Sequence, residues 1–143
     1  MKYFSTLFIL AALFTSGLSN AQQASSLNGK SYTFVMKDAV NGGDEVFDKL
    51  TFANNEVTSE TYSQKGYTAG KMLEKNGGNT TNFQVTLTSP TEGTRFYSGK
   101  VTGNDIDGTI VTTDASGAKV TYAFRGMLTS EWNKMMEMKG AKQ

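Results

Sequence analysis

Whatever chemistry this chain performs, it performs without histidine or cysteine, since its 143 residues contain neither. Ser-His-Asp and Cys-His nucleophile systems, histidine-based zinc sites and thiolate redox chemistry all need one or the other. Carboxylate pairs remain, the groups that cleave glycosidic bonds. Asp105 and Asp107 lie two apart in a strand-like run and so share a face, while Asp48 and Glu56 flank one prospective hairpin. Acidic residues in turns and on outer faces are ordinarily solvated. All four read that way, and no catalytic residue is assigned. Asn104 to Gly108 (NDIDG) resembles the start of a calcium loop without its further ligands or distant glutamate. No glycine-rich phosphate loop joins a strand to a helix. The sequence therefore asks for neither a metal nor a cofactor.

Binding suits these side chains better. Tyr67, Tyr97 and Tyr122 offer hydroxyls that orient a ligand, and Phe83 and Phe124 offer apolar surface around it. Arg95 shares a strand face with Tyr97, where its guanidinium can meet a carboxylate. Gly70, Gly99, Gly108 and Gly126 fall inside strand-like runs. With the small Ser59 and Thr61 they leave interior volume for a small, largely apolar molecule. In the opposing reading the glycines mark bends, the tyrosines lift their hydroxyls to a rim, and the interior is full. Recognition then passes to the polar turns, Ala39 to Asp44 and Ser89 to Thr94, and the ligand becomes a protein partner, as for an inhibitor or envelope component.

The elements that must position these residues are strands. Arg95 to Leu128 holds three alternating runs joined by two tight turns, Gly103-Asn104 and Asp114-Ala115-Ser116-Gly117, so each run doubles straight back on the last. Their inward sets are Tyr97, Gly99 and Val101, then Ile106, Gly108 and Ile110, then Val120, Tyr122 and Phe124. Upstream, Lys30 to Lys37 turns Tyr32, Phe34 and Met36 to one face, and Glu45 to Ala53 turns Val46, Leu50 and Phe52. Asn54-Asn55 is a two-residue hairpin turn. Glu56 to Ser63 and Tyr67 to Lys75 read as two further strands, and Asn82 to Thr88 alternates cleanly with Phe83, Val85 and Leu87 inward.

These runs predict an all-β fold, an eight-stranded antiparallel up-and-down barrel, because closure removes the exposed sheet edges and no long crossover is present for a Greek key. One helix follows, over 130–139 and capped by Ser130, with Leu128, Trp132, Met135 and Met136 on one face. It either packs outside the barrel or covers one mouth.

Ahead of the barrel, Leu7 to Leu18 is an apolar run that ends in Ser19-Asn20-Ala21, the pattern of a secretory signal over 1–21. It is too short for a transmembrane segment. The expectation is one exported domain, 22–143, secreted or periplasmic, with Gln22 to Asn28 as a flexible lead-in. Of 14 basic residues only Lys2 precedes residue 22, and the other thirteen balance thirteen acidic ones. No basic cluster interleaves with aromatics, so a nucleic-acid partner is not expected.

Asp48 to Tyr67 (DKLTFANNEVTSETYSQKGY), Thr91-Glu92-Gly93 and Ser98 to Thr109 (SGKVTGNDIDGT) resemble a group of small secreted bacterial proteins, loosely similar to lipocalins and other calycin-type barrels. The resemblance implies a lipocalin-like barrel and carries over no functional residue.

Overall fold

The structure, a computed structural model, describes residues 25–141, so the signal read over 1–21 lies outside the described residues. Eight strands run in chain order: β1 (Lys30–Asp38), β2 (Gly42–Ala53), β3 (Glu56–Ser59), β4 (Gly70–Gly77), β5 (Thr80–Ser89), β6 (Gly93–Thr102), β7 (Asp105–Thr113) and β8 (Lys119–Leu128). Helix α1 (Glu60–Ser63) separates β3 from β4, and α2 (Thr129–Gly140) follows β8. Each strand pairs antiparallel with the next, and β8 pairs back onto β1 from Tyr32↔Leu128 to Asp38↔Tyr122. The sheet is a closed eight-stranded up-and-down barrel.

Local chemistry explains the turns. Asn54 and Asn55 both take positive φ, 54° and 60°, the pairing that a two-residue turn needs to match strand twist. In the β7–β8 turn the Asp114 carboxylate accepts from the backbone N–H groups of Ser116 and Ala118 at 2.9 Å each. Hydrogen bonding from the Ser116 hydroxyl and these amides holds its pKa below the usual carboxylate value.

Up-and-down topology sorts the connections between two ends. The lower end carries the β2–β3, β4–β5 and β6–β7 turns and the passage from β8 into α2. The upper mouth carries the β1–β2, β5–β6 and β7–β8 hairpins and the β3–α1–β4 connection. The predicted flexible lead-in is fixed from Ser25 onward. Asn28 and Asn55 exchange hydrogen bonds at the β2–β3 turn, and Leu27 closes the lower end at 1% exposure.

The interior is filled by rings standing edge to face. Tyr32 meets Phe52, Phe52 meets Phe83, and Tyr97 meets Phe124, with centroids 5.7, 5.2 and 6.4 Å apart. The strand glycines make room for this packing. A Cβ on Gly99 would stand 2.7 Å from the Phe83 ring and 2.9 Å from that of Phe124. One on Gly126 would stand 2.5 Å from Phe34 Cα. Phenylalanine rings take the space at Gly99 and the β1 backbone takes it at Gly126, and the mid-barrel volume expected for a ligand holds side chains.

Helix α2 lies outside the barrel beside β8 and β1, where Trp132 packs edge-on against Phe47 at 5.8 Å. Its first residue is Thr129, and Leu128 stands at the cap position without a side-chain hydrogen bond, so Ser130 is inside the helix rather than its cap. Among the described residues no helix is long and apolar enough to cross a membrane.

Candidate functional site at the upper mouth

Two strands are shorter than the sequence pattern predicts. β3 stops at Ser59, and Glu60–Ser63 turn into α1. The cause is a capping network. Ser59 Oγ accepts from Tyr62 N–H at 3.0 Å and donates to Asp48 Oδ2 at 2.6 Å, while Asp48 Oδ1 accepts from Thr61 N–H at 3.0 Å. Asp48 also accepts from the Lys49 amide at 2.8 Å. It is 4% exposed, which corrects its reading as a solvated outer residue. Nor does it pair with Glu56, which is exposed opposite Ala53. Asp105 and Asp107 do lie on the outer face of β7, exposed as expected. β4 begins at Gly70, so Tyr67 belongs to the connection rather than to a strand.

Arg95 is the second buried charge, at 3% exposure. Alternation along β6 turns it inward with Tyr97. Its Nε donates to the Tyr97 hydroxyl at 3.1 Å and one Nη to Met36 Sδ at 3.4 Å. The guanidinium lies 3.4 Å from the centroid of the Tyr62 ring. It has five N–H donors, of which these bonds use two, and among the described residues no carboxylate comes within 4.0 Å. A buried cation with no carboxylate in contact bears a desolvation cost of several kcal/mol, offset here by the cation–π stack and by buried Asp48, whose charge acts on the same Tyr62 and Tyr97.

The tyrosines feel the same environment. Burial pushes the Tyr97 phenol up to about 12, with Arg95 pulling the other way. Burial also raises Tyr62 and Tyr67, again against Arg95. These two rings meet edge to face at 5.8 Å.

Of the residues read from sequence as a binding set, Arg95, Tyr97, Tyr67 and Tyr122 gather near this mouth, and Phe83 and Phe124 lie deeper in the packed core. Sequence reasoning missed Tyr62, Asp48 and Met36 as members. Asp48 was legible, because the parity through Phe52 and Leu50 continues inward to it. Tyr62 was not, since it is turned inward by a helix of four residues. Among the described residues no group of three or more acidic side chains could hold a metal, and nothing positive indicates catalysis. No protein-family model, curated protein or solved structure matches the chain.

Proposed function

We propose that this barrel is an exported binding protein whose ligand is a small molecule with an apolar body and an anionic head, taken at the upper mouth rather than along the axis. The buried Arg95, unpaired with any described carboxylate, is the observation that carries the reading. A cation kept at 3% exposure with no carboxylate within 4.0 Å leaves guanidinium N–H groups for an anion from outside. Half-buried Tyr122 and Thr112, and the exposed Val46 and Val120, continue the inward faces of their strands to the rim, so the neighbouring surface suits an apolar body.

The test is titration of octanoate and benzoate, with octanol and benzyl alcohol as neutral controls. The acids bind and the alcohols do not. Arg95→Leu weakens binding by about 30-fold or more and changes folding stability little, because the desolvation cost removed is offset by the lost stack on Tyr62 and the lost hydrogen bond to Tyr97. A large loss of stability in that variant makes Arg95 structural and ends the proposal.

A second reading has its own support. The filled axis and the exposed Val40 (84%) and Phe47 (58%) on the first hairpin suit a protein partner docking on the hairpins. Failure of both acids to bind at millimolar concentration shifts the function there.

A further inference from the structure

The proposed site is shut. Arg95 is 3% exposed and its guanidinium stands over the Tyr62 ring, so something has to move for an anion to reach it. The barrel wall shows where. β5 and β6 pair continuously from Thr80↔Thr102 to Ser89↔Gly93, whereas β3 and β4 share only Glu56↔Lys71 and Val57↔Gly70. Above that short seam no strand fills the wall between β2 and β5, and residues 60–69 lie across the gap.

Hydrogen bonds and one ion pair hold this stretch at both margins. On the β2 side it is fixed by Asp48 through Ser59 and the Thr61 amide, and by an ion pair between Lys49 and Glu60. On the β5 side Thr68 N–H donates to Thr88 O at 3.0 Å, and Ser89 Oγ donates to the Lys65 carbonyl at 3.3 Å. Little ladder pairing and a mostly exposed stretch from Glu60 to Ala69 are the marks of a segment that opens below the global unfolding threshold.

We infer that residues 60–69 form a gate in the barrel wall and that the Asp48–Ser59 pair is its latch, a reading that rests on Arg95 being the binding site. Opening lifts Tyr62 from Arg95 and exposes the guanidinium. An entering carboxylate accepts in the guanidinium plane from N–H groups not bonded to Tyr97 or Met36, and the cap re-forms behind it. Asp48 and Ser59 touch no ligand in this scheme and act by positioning α1.

Two arginines make access measurable without a ligand. Arg95 is buried and Arg125 is exposed on the outer face of β8. Labelling with phenylglyoxal, read by peptide mass spectrometry, reports gate opening as the Arg95 to Arg125 rate ratio. Ser59→Ala removes the cap, and Asp48→Asn weakens the latch with little change of shape. Each raises the ratio by about five- to tenfold, with hydrogen exchange of β5–β8 amides unchanged. An unchanged ratio in both variants, or one that rises only in step with β5–β8 exchange, overturns the gate. Saturating octanoate slows Arg95 labelling in the unmodified protein. If it does not while the variants raise the ratio, the gate stands and the anionic-ligand reading falls.

Discussion

The two sides of this barrel are built by different means. From β5 round to β1 the strands pair along nearly their whole lengths, and the wall is locked inside by rings seated against glycines. From β2 to β4 pairing shrinks to a short seam, and side-chain hydrogen bonds from Asp48, Ser59 and Ser89 hold the chain in place. The first side resists any local change because its contacts interlock. The second can release one segment without disturbing the rest. Of the two buried charges, Asp48 stands on the weaker side itself, and Arg95 reaches from β6 on the interlocked side to the Tyr62 ring of that segment.

The strongest way to break this contrast is Gly126→Ala. Its Cβ would collide with the Thr33 carbonyl oxygen and with Phe34, which are backbone and ring-bearing neighbours across the β8–β1 closure. Neither can move without shifting a strand. The expected loss is about 3 kcal/mol or more in urea unfolding, spread over amides on every strand. Removal of the Ser59 cap costs about 1 kcal/mol by comparison, confined to amides near α1. Equal and equally global losses would show that both sides belong to one cooperative unit.

The next effect is set by pH. Tyr97 is fully buried, and its phenol is raised from 10.0 to about 12 by burial. A group whose folded pKa is raised contributes its full stability below pH 10, and that contribution is lost as pH climbs from 10 to 12, since the unfolded chain releases the proton first. The expected decline is about 2–3 kcal/mol, measured as the fall of the urea midpoint across that window. Tyr97→Phe reduces the slope. It does not abolish it, because Tyr62, Tyr67 and Tyr32 are shifted in the same direction. An unchanged slope in Tyr97→Phe would mean that this hydroxyl is hydrated and the mouth is open.

How far the sequence discloses this molecule follows the same division. On the interlocked side alternation has period two, turns carry Gly, Asn and Asp, and the inward residues of β5 through β8 are legible one by one. On the weaker side the deciding partners lie far apart in sequence. Ser59 ends β3 because Asp48, eleven residues earlier, takes its hydroxyl proton in a hydrogen bond, and the alternating pattern through Thr61 cannot reveal that. Leu27 is similar. It follows a polar stretch, yet Gly29 N–H donates to the Phe52 carbonyl at 2.7 Å and draws it into the core. Arg95 and Tyr97 were readable as neighbours on one face, but the ring lying over the guanidinium was not. Local pattern encodes strands and turns, whereas this mouth is made by long-range side-chain pairing.

The smallest effect has the opposite sign and falls on the interlocked side. The Tyr32 hydroxyl is buried with no hydrogen-bond partner, and burial raises its pKa. Its ring packs well against Phe52, but the oxygen gave up its hydration for no bond in return. Tyr32→Phe keeps the ring and removes the oxygen, so the urea midpoint should rise, by about 1 kcal/mol in stability. The gain should appear equally in β1, β2 and β8, the strands that surround the ring. A loss of similar size would place an ordered water beside Tyr32. The locked side would then be wet inside, and the division between a dry, interlocked wall and a polar, releasable one would no longer separate the strands as drawn.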